Sequence, residues 1–219
     1  MTDTPLRIDI ISDVMCPWCI IGYRQLARAL EATGTPHEIH WHPFELNPEM
    51  PAEGQNMREH IAEKYGATPE QSAQNRAQMA AMGAELDFEF AMGADMRMHN
   101  TFATHQLLHW AGEQGRRHEL KQALFAAHFT HQRNLSDPQV LADVAGETGL
   151  DRAEALAVLE DARFAETVRE HEAFWTRQGV RSVPSVVFDS QHLVTGAQGV
   201  ENYTRVLEHL SKEKAKADA

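Results

Sequence analysis

The sequence predicts an α/β protein: a strand–helix–strand unit at one end and a strand–strand–helix unit at the other, separated by a large all-helical insertion. Three observations predict it. Strand-like segments occur only near the two ends, at 6–12, at 37–44 and beyond Gly179. The stretch from Asn56 to Gln178 consists almost wholly of strong helix formers. The chain's two cysteines, Cys16 and Cys19, sit where the first strand hands over to the first helix. The implied division is 1–50 with 179–219 for the α/β part and 51–178 for the helical insertion.

Each element has its own signal. "LRIDIIS", residues 6–12, mixes alternation with β-branched residues and predicts a strand. From Pro17 to about Leu30 the apolar positions Trp18, Ile21, Leu26 and Leu30 lie near one side of a helix, which "ATGTP" ends. "HEIHWHPF" alternates again, so strand, helix and strand form a βαβ unit with parallel strands. The insertion divides at Thr68, Gly83, Gly115, "NLSDPQ" and "TGLDRAE", giving four to six helices, with Asp151 as the cap of the one that follows it. "DFEFAMGADM" fits a short extended piece as well as a helix. After Gly179 come strands at 185–188 and 192–195 joined by a turn at Asp189–Gln191, then a helix over 199–213 and a frayed tail.

Composition narrows the function. The 219 residues carry 20 Lys plus Arg against 32 Asp plus Glu, a net charge of −12. Such a surface repels phosphate backbones and anionic lipid, so nucleic acid and membrane surfaces are poor partners. No apolar run reaches the roughly 20 residues a membrane helix needs. The N-terminus has no basic segment followed by an apolar core, which sets the expectation of a cytoplasmic protein. In that reducing compartment two cysteines suggest catalysis or metal binding before scaffolding.

The sequence "CPWC" carries the chemistry. A thiolate at a helix N-terminus faces free N–H groups and the positive end of the helix dipole, which lowers its pKa. Pro17 suits the first helical turn, where its missing N–H has no intrahelical acceptor. Cys19, one turn later, is placed to attack a mixed disulfide at Cys16. Cys16 is therefore expected to be the ionised attacking thiol and Cys19 the resolving thiol, with Pro17 and Trp18 tuning the redox potential. A structural zinc or iron–sulfur site would need about four ligands, and no further cysteine exists. Inert buried thiols are the bland alternative.

"GVRSVPSVVF" adds a second signal, with Pro184 immediately before a strand. A cis Val183–Pro184 bond there would expose the Val183 backbone to an extended substrate and keep charged side chains off the sulfurs. The alternative is a trans proline opening an edge strand.

Together "SDVMCPWCIIG", the helical insertion, "MHNTFATHQLLHWA" and "GVRSVPSVVF" resemble the DsbA-like thioredoxin-fold proteins, in particular the cytoplasmic FrnE group of dithiol–disulfide oxidoreductases. The resemblance implies a thioredoxin fold whose insertion roofs the active site, and an oxidase, isomerase or reductase of protein disulfides. It implies that Cys16, Cys19, Pro17, Trp18 and Pro184 are catalytic, that Val183 belongs to the substrate-binding loop, and that Asn100, Thr101 and His105 face the active site from the insertion. No bound cofactor beyond the redox-active disulfide is implied. Partners are thiol- or disulfide-bearing proteins or small molecules, with glutathione as a co-substrate or the thioredoxin system as electron exchanger. Kappa-class glutathione transferases and hydroxychromene-carboxylate isomerases share the layout and give the alternative function, but generally carry serine in place of Cys16.

Lesser features have competing readings. His40 with His42, and His105 with His109, share a strand face and a helix side and could chelate a metal. An imidazolium at His105 could also hold Cys16 ionised. Five methionines between Met79 and Met98 suit either a surface for varied peptides or core filling. Asp13 suits either a proton acceptor for Cys19 or a turn.

Overall fold

A computed structural model describes residues 5–93 and 95–217. Strand β1 (Leu6–Ser12) pairs parallel with β2 (His37–Pro43) across helix α1 (Pro17–Thr33), as the sequence predicts. After the insertion, β5 (Ser185–Phe188) pairs antiparallel with β1, and β6 (His192–Thr195) antiparallel with β5. The sheet order is β2-β1-β5-β6. Asp189 and Ser190 both have positive φ in the hairpin turn, the backbone twist that a tight two-strand connection favours.

Alternation along β1 sorts the two faces of the sheet. Ile8 and Ile10 pack with Leu26 and Leu30 of α1 and with Tyr203 and Leu207 of α9 (Val200–Ala217). Ile11 turns the other way, to Val180, Val187 and Trp175. Helix α9 continues to Ala217 where the sequence suggested fraying after residue 213.

The insertion holds seven helices among the described residues, more than the four to six expected. They are α2 (Met57–Tyr65), α3 (Pro69–Glu85), α4 (Phe102–Glu113), α5 (Arg117–Phe129), α6 (Pro138–Glu147), α7 (Arg152–Asp161) and α8 (Ala165–Arg177). The expected boundaries at "NLSDPQ" and "TGLDRAE" hold, with Asp137 capping α6 before Pro138 and Asp151 capping α7, and the extra one is Ala162, whose left-handed conformation ends α7. Thr68 and Gln71 form a reciprocal capping box at the start of α3. The "DFEF" segment is a loop that buries Phe88 and Phe90 against Phe129 and the sheet's own core. Two short strands, β3 (Gln55–Asn56) and β4 (Arg97–Met98), pair antiparallel and escaped the sequence reading because two residues show no period.

Sheet and insertion are welded at the turn after β1. Val14 and Met15 are fully buried in the insertion's core, with Leu107, Leu120 and Leu124. The next residue, Cys16, belongs to the sheet's core. The thiols thus lie on the seam.

Candidate active site

Cys16 occupies the N-cap of α1 in an extended conformation, with Pro17 opening the helix and the Cys19 N–H bonded to the Cys16 carbonyl at 3.0 Å. Both cysteines are free thiols. The Val183–Pro184 peptide is cis, and Cys16 Sγ lies 3.7 Å from the Val183 carbonyl oxygen as its donor. Gly22, one helical turn beyond Cys19, makes room for that loop: a Cβ there would stand 3.2 Å from Pro184 Cγ.

A groove of about 610 Å³ runs past Cys16. Pro17, Trp18 and Val183 line it on the α/β side, and the roof is Met57, Ile61 and Met79 of α2 and α3. Met92 and Met98 also face it, so part of the methionine cluster contributes to the groove and is not only core filling. Trp18 is 38% exposed at the mouth, whereas Cys19 has no exposure and does not line the groove. Cys16 is itself buried, at 3% exposure, but of the two cysteines it is the one that lines the groove.

Asn100, Thr101 and His105 do not line the groove. Asn100 donates to the Pro48 and Met50 carbonyls and accepts from the Phe102 N–H, pinning a loop. The Thr101 hydroxyl donates to Asp13 Oδ2 at 3.2 Å, and His105 Nε2 lies 3.1 Å from the Phe44 carbonyl and 3.7 Å from Asp13 Oδ1. The segment reaches the site from behind, through Asp13.

Asp13 is fully buried and also accepts from the Leu46 and Met15 N–H groups, at 2.6 and 3.2 Å. Burial pushes its carboxyl up, but His105, the Leu46 amide and Lys121 together bring it below the usual carboxylate range. Lys121, from α5, is the residue that motif reading missed. Its ammonium is buried over the rings of Trp41 and Phe125, 5.5 and 5.1 Å away, and donates to the Ser12 carbonyl at 3.4 Å. Burial lowers its pKa to about 8, against the opposing pull of Cys19 and Asp13. A signal was present: Lys121 stands in the register of Leu124, Phe125 and His128, on the helix's buried stripe.

This ammonium changes the expected order of ionisation. The hydrogen bond to Cys19, followed by burial, holds the Cys16 thiol well above its ordinary pKa. Burial raises Cys19, but the Cys16 hydrogen bond, Lys121 and the Ser12 hydroxyl outweigh it and leave Cys19 lowered. Within the pair these influences favour the negative charge on Cys19 and the proton on Cys16. The sequence placed the low pKa on Cys16 because the helix N-terminus was visible there and the buried cation was not.

The histidine pairs are engaged elsewhere. His42 bonds Asp9 at 2.7 Å, His40 faces Glu38 and His109 faces Glu113. Among the described residues no group of three or more His, Cys, Asp or Glu side chains is set to hold a metal ion. No helix among them is long and apolar enough to cross a membrane.

A thioredoxin-type sheet with a dithiol at the head of α1, a cis-proline loop beside it and a helical roof defines a class of dithiol proteins. The family model for the DSBA-like thioredoxin domain matches residues 7–208, and the chain belongs to that family of thiol–disulfide oxidoreductases. The structure is similar to that of a probable DsbA oxidoreductase from Streptomyces coelicolor, with 32% identity, a TM-score of 0.89 and coverage of 95% of this chain and 91% of that one. An uncharacterised Bacillus subtilis (strain 168) protein, YwbO, is 25% identical over 95% of this chain and 99% of its own. A 2-hydroxychromene-2-carboxylate isomerase shares the fold at 13% identity, with a TM-score of 0.70 and coverage of 97% and 100%.

Proposed function

We propose that the protein is a dithiol–disulfide oxidoreductase working through Cys16 and Cys19 in a reducing, cytoplasmic setting. The observation that carries this reading is the division of the pair: Cys16 lines the groove, while Cys19 is sealed behind it beside Lys121. In the reducing direction, the Cys16 sulfur attacks a substrate disulfide as its proton passes to the Cys19 thiolate. One substrate sulfur leaves as thiolate and a mixed disulfide forms at Cys16. Cys19 then gives up its proton, attacks the Cys16 sulfur and releases the second substrate sulfur, closing the intramolecular disulfide. The reverse sequence oxidises a dithiol.

The protein's own groups do three things here. A backbone hydrogen bond from Cys19 and the helix N-terminus favour negative charge at Cys16 as it attacks. Lys121 favours it at Cys19. The groove, with an apolar wall and a volume in the range of small-ligand sites, suits a short extended peptide or a small disulfide such as that of glutathione.

Trapping tests the reading. Cys19→Ser should accumulate a mixed disulfide with substrate, Cys16→Ser should form none, and each should abolish insulin-disulfide reduction. Glutathione-dependent turnover that persists in Cys19→Ser would instead favour an isomerase or transferase. Equilibration of the wild-type pair with glutathione buffers gives its potential and with it the direction of transfer.

A further inference from the structure

We propose that the groove selects polypeptide disulfides flanked by acidic residues, through three cations that line it: Lys64, Arg76 and Arg181. The inference rests on the oxidoreductase reading above and specifies the substrate of that same site.

The groove carries charge opposite to that of the molecule. The chain has a net charge of −12, yet Lys64 of α2, Arg76 of α3 and Arg181, just ahead of Val183, line the groove together with Cys16. Glu45 is the one acidic residue in that lining, and its carboxylate is bonded to Arg169 of α8, which lies outside the groove.

Neutral groups alone engage the three cations. Lys64 donates to the Leu46 carbonyl at 3.0 Å and to the Asn47 side-chain oxygen, which leaves one of its three donors. Arg76 donates to the Ser72 hydroxyl at 3.0 Å. Among the described residues none of the three forms an ion pair, whereas Arg116, Arg133, Arg152 and Arg163 each pair with a carboxylate elsewhere on the surface. Lys64 and Arg181 are exposed and Arg76 is half-buried, so all three are open to an incoming anion. A cleft lined by one sign of charge, with apolar walls, concentrates ligands of the other sign. Unpaired guanidinium groups suit carboxylates in particular, and arginine clusters recur where acidic motifs are read.

The placement favours a polypeptide over a small anion. The cations stand on both sides of the groove, two in the roof and Arg181 on the α/β side. Leu46, Asn47, His60 and Lys64 also line an adjoining hollow of about 430 Å³, so a chain extended past Cys16 finds continuous surface beyond Lys64. Glu49 and Glu63 line that hollow and not the groove, so the acidic side chains belong close to the substrate cysteine. The methionine wall accepts varied apolar side chains, which leaves charge as the discriminating feature. In about 0.15 M salt the Debye length of roughly 8 Å screens the distant acidic surface, and the groove cations decide.

Peptides with one cysteine, joined to a chromogenic aryl thiol as a mixed disulfide, report the selection. The Cys16 sulfur bonds to the peptide sulfur, the peptide–aryl S–S bond breaks, and the aryl thiolate leaves with its electron pair. Three peptides differ only in flanking Glu, Gln or Lys, and each rate is divided by that with dithiothreitol to remove intrinsic reactivity. In about 0.15 M salt the Glu peptide should react about tenfold faster than the Lys peptide, and the ratio should approach one near 1 M salt. Lys64→Gln, Arg76→Gln and Arg181→Gln combined should abolish the ratio, whereas Arg76→Lys with Arg181→Lys should keep it. A wild-type ratio near one, or a ratio that survives the triple variant, overturns the proposal. A preference for the glutathione–aryl mixed disulfide over its ester, with none among the peptides, overturns the polypeptide assignment. Failure of every peptide to release aryl thiolate would remove the oxidoreductase reading instead.

Discussion

The Thr101 hydroxyl donates to Asp13 Oδ2 at 3.2 Å, joining residues 88 positions apart and tying α4 of the insertion to the turn that carries the thiols. Both side chains are buried, so the bond forms away from competing water. Thr101→Val keeps the shape and removes the donor. It should cost about 1.5–3 kcal/mol, the range for a hydrogen bond to a charged group, in urea unfolding. Thr101→Ser should restore most of that stability.

Gly22 sits where α1 meets the cis-proline loop. A Cβ there would be 3.2 Å from Pro184 Cγ and 3.4 Å from the Ala197 Cα. Alanine gains helix propensity of nearly 1 kcal/mol against this crowding, whereas a branched side chain finds no room. Gly22→Val should destabilise by about 1–3 kcal/mol, the range for overpacking, and displace Val183 from Cys16. Slower alkylation of Cys16 alongside the drop in thermal midpoint would show both effects.

His128 predicts the acid limb of the stability curve. Burial pushes its pKa down to about 3, with His99 adding to the shift, and its Nε2 has no hydrogen-bond partner. The unfolded chain binds a proton near the ordinary pKa of 6.5, while the folded chain resists until about 3. Between those values the unfolded state holds more protons, so this group removes stability as pH falls. The full window is worth roughly 4–5 kcal/mol at about 1.4 per unit. His128→Phe should flatten urea midpoints measured from pH 6.5 downward; an unchanged slope would assign acid sensitivity to other groups.

What the sequence disclosed was local. Alternation exposed β1, and a cap followed by proline exposed α1, so the motif at their junction was readable from adjacent residues. Pro184 was readable only beside the two cysteines, because a proline before a strand taken alone fits a trans edge-strand start. The buried apparatus behind the thiols was not readable in the same way. Thr101 and His105 were expected to face substrate, yet they act on Asp13 and Phe44, a relation set by how α4 crosses the turn after β1. Lys121 lies more than 100 residues beyond Cys19 and has no motif; only its position on the buried stripe of α5 distinguishes it from a surface lysine.

Lys121 also gives the sharpest test of how the pair ionises. It is the buried cation among the groups that lower Cys19, and its own pKa of about 8 records the cost of burying that charge. Lys121→Met preserves the stem packed on Trp41 and Phe125 and deletes the charge. Without it, ionised Cys19 loses its buried counter-charge in a low-dielectric site, so the first thiol pKa of the pair must rise. Ultraviolet thiolate titration should show that rise. Loss of the cation raises the free energy of the reduced, ionised pair relative to the disulfide, so the reduction potential should become more negative. Folding stability should fall, because removing the ammonium leaves the Asp13 carboxylate and the Cys19 charge buried without it. An unchanged titration with an unchanged potential would mean that the Cys16 hydrogen bond and the Ser12 hydroxyl hold the Cys19 charge unaided.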